Sequence, residues 1–529
     1  MTNKPKTDKE MYHPFALVIM DGFGAAPSGP GNAVELAKMP FWHDLLNKYP
    51  HTTLKAHGQY VGLFKGTDGN SEAGHINIGA GRVVPQDIVA ISNMIEDGTF
   101  FKNAALLQAV EHVKKNKSNL HLTGLLTGVN SAHAYPAHLD ALLKFLRQQK
   151  VKHVYIHLFT DGRDSPQFEG YAFLHDLMKK LDPKREHIAT LMGRFYGMDR
   201  KKEWGRTRMA YDSLIFGSKI KEEDPLHAIE ESYARGRSDE FIKPVVIHQK
   251  GDIAPRISDN DAVIFFNSRS DRARQLTKAF IQPDFNQDNK EAFKRKKILK
   301  NLLFVASTDF GPDLPGILTV YPSPDLKSTL PKELRDLRQL YLAETDKYGH
   351  MTYFFNGGYA NPIGGENRIL VKSPDVNSYD KKPEMSAKEI TDLVISNVKG
   401  RVYDFIALNF ANPDMVGHTG NLTATIKGLE FLDKCLRRIY NEVVVSKNGW
   451  MVVVADHGNA EEMIDIENGK VDTQHSTFPV PFLICGQESL VKKIKLKETG
   501  KLADVAPTIL YLLKRDKPKE MTGNNLIIT

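Results

Sequence analysis

Seven short runs of apolar, β-branched and aromatic residues, separated by longer stretches of helical character, most constrain how this chain can fold. They are FALVIM (15–20), KHVYIHLF (152–159), DAVIFFN (261–267), LLFVAS (302–307), DFIALNF (404–410), GWMVVVA (449–455) and VPFLIC (480–485). Such alternation of strand-like and helix-like segments predicts an α/β fold. Almost every run leads into charged residues: Asp21, then Asp161-Gly-Arg-Asp164, Arg269 and Arg272, Asp414, and Asp456-His457. In open α/β sheets, ligands bind beyond the carboxyl ends of the strands. Strand ends always meet polar loops, but general polarity does not explain why Asp, His and Arg recur there.

The length of 529 residues predicts more than one domain, and the 41% hydrophobic and 26% charged content is ordinary for a soluble globular protein. Two cysteines, Cys435 and Cys485, make a disulfide framework improbable and suit a reducing compartment. The polar start MTNKPKTDKEMYH lacks the apolar core of a secretory signal, and no apolar run is long enough to span a bilayer, so a cytoplasmic protein is expected. A net charge of +7 raises the question of nucleic acid, but Lys and Arg are spread along the chain without a nucleic-acid-binding motif. The densest basic run, KEAFKRKKILK (290–300), reads as a solvated helix face, and the Pro-rich TVYPSPDLKSTLPKEL (319–334) reads as a linker. A modest positive balance also speeds the approach of a small anionic substrate.

The stretch GTDGNSEAGHINIGAGR (66–82) places a lone Ser71 on a glycine-rich turn. Gly69 and Gly74 have phosphate-loop spacing, but His75 and Ile76 stand where that motif needs Lys and Ser/Thr. As a nucleophile, Ser71 would need a base or a metal beside it. Such a metal has candidate ligands in three dispersed groups: Asp414 and His418 of NPDMVGH, at i and i+4; Asp456 and His457 of VVVADHGNAEE; and His475 of DTQHSTFPVPF. With Asp21 they make three carboxylates and three imidazoles without a thiolate, a set that suits Mn²⁺ or Zn²⁺ better than Mg²⁺. Each residue alone has an ordinary structural explanation. Together, at strand ends and loops, they point to a paired metal site of the kind that stabilises attacking and leaving oxygens in phosphoryl transfer.

These motifs resemble the alkaline phosphatase superfamily, through the DG strand end and the ADHG motif. Within it, the chain resembles the cofactor-independent phosphoglycerate mutases. That resemblance runs nearly end to end through VIMDGFG, GNSEAGHINIGAGR, FTDGRDSP, GRFYGMDR, FFNSRSDR, AETDKYGHMTYFFNGG, NFANPDMVGHTG, VVVADHGNAEEM, QHSTFPVPF and ADVAPTIL. It implies an alkaline-phosphatase-like, doubly wound sheet domain split in sequence (1–84 and 327–529), with a second α/β phosphotransferase domain (85–326) inserted. It further implies that Asp21, Ser71, Asp456 and His457 hold one Mn²⁺ and that Asp414, His418 and His475 hold a second. Ser71 would be the phosphorylated nucleophile, with glycines letting the backbone approach the phosphate. Arg163, Asp164, Arg194, Arg200, Arg269 and Arg272 would clamp the substrate, and Lys347 would reach the phosphoryl group from the other domain.

The expected reaction is interconversion of 3-phosphoglycerate and 2-phosphoglycerate through a phosphoserine, without 2,3-bisphosphoglycerate, with Asp164 as general acid and base. A monomer acting on a small molecule, with neither nucleic acid nor membrane as partner, is expected. The alternatives are a metal-dependent phosphatase or another phosphomutase of the superfamily, or a non-catalytic metal- or metabolite-binding protein. One segment departs from the family pattern: LLTGVNSAHAYPAH (125–138) stands where the family usually has SDGGVHSH. Asn130, or His133 after a shift, takes the place of the family's substrate-binding histidine, and the insertion could equally present His138.

Overall fold

FALVIM forms the strand Phe15–Met20, and every one of its six residues is buried, because the strand lies inside a sheet with a parallel neighbour on each side. This is a computed structural model; it describes residues 12–528 apart from 250, 251, 254, 312, 315, 466 and 467. The chain forms two compact units, one built from Met1–Gln86 with Asp325–Thr529 and the other from Asp87–Pro324. Both are α/β.

The first unit contains an eight-stranded sheet in the order Asn367–Val371, Gln339–Glu344, Phe405–Phe410, Phe15–Met20, Trp450–Val454, Val480–Cys485, His51–Lys55, Thr499–Lys501. The first five run parallel, and Val480–Cys485 is antiparallel to both of its neighbours. Burial on both faces explains why Phe405–Phe410, Phe15–Met20, Trp450–Val454 and Val480–Cys485 read as continuous apolar runs rather than as alternating ones. The 19-residue helix Leu422–Tyr440 starts at an Asn421 cap and buries Leu429, Leu432, Leu436 and Ile439, a helical repeat of apolar positions facing the core. Each such leucine contributes about 1.5–3 kcal/mol of burial. Its buried Asp433 accepts the Phe41 and Trp42 N–H groups at the start of the Pro40–Lys48 helix and so fixes that helix on the core.

The second unit contains a nine-stranded sheet. Its main path runs Leu318–Tyr321, Leu303–Thr308, Ala262–Phe265, Leu120–Leu126, Val154–Thr160, Glu186–Gly193, Val245–Gln249, Ile220–Glu222, with Asp252–Ile253 pairing Val245–Gln249. The strands from Leu318–Tyr321 through Glu186–Gly193 run parallel.

Two local expectations change. The basic run at 290–300 is not a helix. Arg295 donates to Ala279 O and Pro283 O, the Tyr211 hydroxyl donates to Lys297 O, and the Asn286 amide donates to Ala292 O and Phe293 O. These bonds hold the segment as an ordered irregular strap, so part of its positive charge is structural. The Pro-rich stretch is not wholly a linker, since its ends lie in the Leu318–Tyr321 strand and in a short helix, Leu330–Glu333, whose Leu330 and Pro331 are buried. Among the described residues no helix is long and apolar enough to cross a membrane.

Candidate metal centre and anion cluster

Four adjacent parallel strands of the first unit deliver polar side chains at their carboxyl ends. In sheet order, Gln339–Glu344 is followed by Lys347, Phe405–Phe410 by Asp414, Phe15–Met20 by Asp21, and Trp450–Val454 by Asp456 and His457. Asp414 N–H donates to Asp21 O (3.0 Å), joining two of these ends directly. Asp414 lies in the helix Asn412–Gly417, and His418 one turn on returns its N–H to Asp414 O (2.9 Å), so the i, i+4 pair does share a face.

Ser71 is the first residue of a helix, Ser71–Ala80, and not part of a turn. The Asn70 side chain caps this helix by accepting the Ala73 N–H (2.8 Å). The glycine that matters here makes room for protein rather than for phosphate. A Cβ on Gly74 would stand 2.5 Å from Asp456 O, so the first helical turn presses onto the strand end that carries Asp456. The positive end of the helix dipole thereby lies at Ser71, where it favours an anion.

The side chains converge closely. Ser71 Oγ lies 2.8 Å from His457 Nε2 and 3.3 Å from Asp21 Oδ1, and accepts from Lys347 Nζ at 2.7 Å. Lys347 Nζ also lies 2.6 Å from Asp21 Oδ1 and 2.7 Å from Asp414 Oδ2. Asp414 Oδ1 is 3.2 Å from both His418 Nε2 and His475 Nε2. The three imidazoles are oriented alike. His418 Nδ1 faces Thr473 O (2.7 Å), His475 Nδ1 faces Gly69 O (2.8 Å) and His457 Nδ1 faces Gly458 O (3.1 Å). Each Nδ1 therefore donates to a carbonyl, which leaves each Nε2 lone pair aimed into the cluster, the tautomer a metal ligand needs.

That arrangement fits a cation. His418 Nε2 and His475 Nε2 are 3.1 Å apart, two lone pairs that repel unless a positive charge lies between or beside them. Asp456 Oδ2 is buried, and among the described residues it faces His75 Nδ1 (3.1 Å), which is turned toward Ser71 O (2.9 Å). Two triads, Asp414/His457/His475 and Asp21/His75/Asp456, bring their ligand atoms within 4.8 Å of one another. This grouping differs from the one the resemblance implies. His457 stands 3.5 Å from both Asp21 and Asp456 yet also belongs with Asp414 and His475. His75 is a newcomer: its Nδ1 is 2.9 Å from Ser71 O and 3.1 Å from Asp456 Oδ2, and its Nε2 is 3.0 Å from the Asn409 amide.

Electrostatics follow from burial and crowding. Burial, with Asp456 next to it, pushes Asp21 up to about 6 against the pull of Lys347. Burial acts to raise Asp414 too, but the Lys347 ammonium outweighs it and holds the carboxyl well below the usual carboxylate range. Burial lowers His457 to about 4, so the ring is neutral. Burial would lower Lys347, but Asp21 and Asp414 outweigh it and raise the ammonium, which stays charged.

The second unit gathers a cationic cluster, again at the carboxyl ends of adjacent parallel strands. Arg269 and Arg272 follow Ala262–Phe265, His133 follows Leu120–Leu126, Arg163 and Asp164 follow Val154–Thr160, and Arg194 and Arg200 follow Glu186–Gly193. Arg194 is buried and bonded to Asp161 (2.5 Å) and Asp164 (2.9 Å), which pins its guanidinium. Burial raises Asp164, but Arg194 and the Ser131 hydroxyl outweigh that and hold it ionised. Arg200 and Arg269 both pair with Asp271, Arg269 at 3.2 Å. Arg272 is lowered first by burial and then by the guanidinium groups of Arg194, Arg200 and Arg163. Five arginines against the carboxylates of Asp161, Asp164, Asp271 and Glu240 leave a net positive cluster suited to a polyanion. Arg163 is the loosest member, 55% exposed and 3.8 Å from Glu240. Of the three residues that could replace the family's histidine, His133 belongs to the cluster, 3.7 Å from Asp271 and lowered by burial to about 4. Asn130 is exposed on a turn, and His138 Nε2 is bonded to Ser92 (2.8 Å).

A sequence-family profile described as the metalloenzyme superfamily matches residues 13–517. The chain is 44% identical over 519 residues to a 2,3-bisphosphoglycerate-independent phosphoglycerate mutase of Clostridium perfringens, covering 97% of this chain and 99% of that one. It is 45% identical over 537 residues to the protein of the same name from Chloroflexus aurantiacus, covering 97% and 98%. Among solved structures, a Leishmania mexicana phosphoglycerate mutase crystallised at low cobalt concentration superposes with a TM-score of 0.74 at 30% identity, covering 99% of each chain.

Proposed function

The chain belongs to the metalloenzyme superfamily and, within it, to the 2,3-bisphosphoglycerate-independent phosphoglycerate mutases, and from that membership we propose how its residues carry out the reaction. The enzyme interconverts 3-phosphoglycerate and 2-phosphoglycerate, and it requires no 2,3-bisphosphoglycerate. The observation that carries the mechanistic reading is the position of Lys347 Nζ, within 2.7 Å of Ser71 Oγ and of carboxylates from two strand ends. It places positive charge beside a buried hydroxyl, where a phosphoryl group would develop negative charge.

In this reading Asp21, Ser71, Asp456 and His457 would hold one Mn²⁺ and Asp414, His418 and His475 a second, with His457 close enough to serve either. Bound there, the ions lower the pKa of a hydroxyl and neutralise phosphoryl oxygens. A divalent cation is consistent with the cobalt used for the Leishmania relative. Ser71 Oγ, already deprotonated with its proton released to solvent, attacks phosphorus in line. The Oγ–P bond forms as the bond to the glycerate oxygen breaks, and Lys347 stabilises the equatorial oxygens. Arg194, Arg200, Arg269, Arg272 and Arg163 hold the carboxylate and phosphate of the substrate, and His133 donates from the same cluster. The departing glycerate oxygen needs one proton, and the other hydroxyl releases one when it attacks phosphoserine. A single carboxyl, Asp164, can move both. Asp164 is held ionised by Arg194, and a substrate carboxylate that engages Arg194 would raise it toward the protonated form. The same reading makes the enzyme a cytoplasmic monomer.

The test is an assay of purified protein with 3-phosphoglycerate and no bisphosphoglycerate. Exhaustive chelation, checked by elemental analysis, is expected to abolish 2-phosphoglycerate formation, and Mn²⁺ to restore it. Full turnover by metal-free protein would refute the metal reading. Release of inorganic phosphate in place of 2-phosphoglycerate would favour a phosphatase.

A further inference from the structure

One buried carboxylate outside the ligand set ties together three of the loops that carry it. Glu461 is 3% exposed, and among the described residues no cation pairs with it. Its Oε2 accepts the N–H of Gly24 (2.9 Å) and of Asn459 (2.9 Å), and its Oε1 accepts the Ser476 hydroxyl. Those donors lie three residues after Asp21, two after His457 and one after His475. The fit is tight, since a Cβ on Gly24 would stand 2.1 Å from Glu461 Cδ and one on Gly458 would stand 2.0 Å from Oε1. Asn459 extends the grip, because its amide nitrogen donates to Asp414 Oδ1 (3.2 Å). Backbone bonds run the same way, from Ala460 N–H to Gly22 O (3.0 Å) and from Ser476 N–H to Gly458 O (3.1 Å).

We propose that Glu461 is a positioning residue that sets metal affinity: its carboxylate locks the loops bearing Asp21, His457 and His475, and through Asn459 the helix bearing Asp414, into one convergent arrangement. A carboxylate buried among neutral donors is a poor device for stability alone, because desolvating the charge offsets much of what the hydrogen bonds contribute. Its value lies in geometry. One group with two acceptor oxygens reaches three separate loops, and removal of partners behind metal ligands typically weakens metal binding by about 10–100-fold.

The inference rests on the metal reading, and one experiment separates the two. Mn²⁺ alone is titrated into metal-free parent, Glu461→Ala, Glu461→Gln and Ser476→Ala proteins, with free Mn²⁺ read by its electron paramagnetic resonance signal and folding checked by circular dichroism. The parent is expected to bind Mn²⁺, and Glu461→Ala to bind it about 10–100-fold more weakly. Ser476→Ala, which removes one donor and leaves the rest, should weaken binding at least about threefold and so keeps the proposal testable if the Ala variant does not fold. Glu461→Gln should stay near the parent, since its amide oxygen can accept both N–H groups while its nitrogen donates to a rotated Ser476 hydroxyl. Turnover of the weakened variants should recover at saturating Mn²⁺. Parent-like affinity in folded Glu461→Ala and Ser476→Ala would overturn the proposal, as would a Gln variant as weak as the Ala variant, which would make charge the agent. A parent that takes up no Mn²⁺ would overturn the metal reading and this inference with it.

Discussion

Ser71→Ala is expected to lower kcat by at least about 10⁴-fold, even at Mn²⁺ high enough to fill a site that has lost one ligand, while leaving the fold unchanged. Loss of an attacking nucleophile that acts as a unit with its neighbours costs on this order or more. The structural cost is small because Ser71 opens its helix, Ala suits that position, and the cap is made by Asn70 and not by Ser71. The hydroxyl is buried against His457, Asp21 and Lys347, so its removal takes away the one oxygen at which those groups meet. The measurement is 2-phosphoglycerate formation by enzyme whose Mn²⁺ content matches the parent. Residual activity within tenfold of the parent would mean that another oxygen attacks phosphorus.

The second large effect is electrostatic. Lys347 is the ammonium that balances buried Asp21 and Asp414, with Asp456 close by. Lys347→Ala should destabilise the metal-free protein by about 3–5 kcal/mol, the usual consequence of leaving buried charges uncompensated. Saturating Mn²⁺ should return most of that loss, because the ion neutralises the same carboxylates, whereas the parent should gain less from metal. Turnover should stay low even with metal bound, since the donor to Ser71 Oγ and to the phosphoryl oxygens is gone. Thermal unfolding of both proteins with and without Mn²⁺ gives the comparison. An equal metal-induced rise in Tm for the two would show that Lys347 does not offset the carboxylates.

The parts of the centre that could be read from sequence are those that follow an apolar run directly. Asp21, Asp456 and His457 abut the strands Phe15–Met20 and Trp450–Val454, and the i, i+4 spacing of Asp414 and His418 survives as one helical turn. The strand Leu120–Leu126 was not legible. Its sequence, LHLTGLL, places His121 and Thr123 where a buried strand should be apolar, yet both are buried, and His121 is satisfied there by His157 (2.9 Å) and Asp261 (3.1 Å). Polar partners on neighbouring strands that lie far off in sequence leave no local signature. His75 went unnoticed for a related reason. Once Ser71 was read as part of a turn, the residue one helical turn later had no reason to share its site, although Ser-x-x-x-His spacing on a capped helix puts it there. Glu461 is harder still, since its partners are two backbone N–H groups and a serine from distant loops, and backbone donors carry no sequence signal.

The arginine cluster shows the opposite case. Its arginines are conspicuous in GRFYGMDR and FFNSRSDR, but which of them is rigid depends on carboxylates whose pairing the motifs do not specify. Arg194 is pinned by Asp161 and Asp164 and buried, whereas Arg163 two residues from Asp161 remains largely in solvent. The place of His133 beside that cluster likewise depends on Asp271, which comes from a different strand end.

The central claim is that the phosphoryl group travels on Ser71. Enzyme loaded with Mn²⁺ and turning over 3-phosphoglycerate labelled with ³²P, quenched in acid within milliseconds and digested, reports where the label resides. The account predicts an acid-stable phosphoserine in the peptide containing GTDGNSEAGHINIGAGR, absent from the Ser71→Ala protein. Label on an acid-labile phosphohistidine, or full turnover with no labelled peptide, would contradict it.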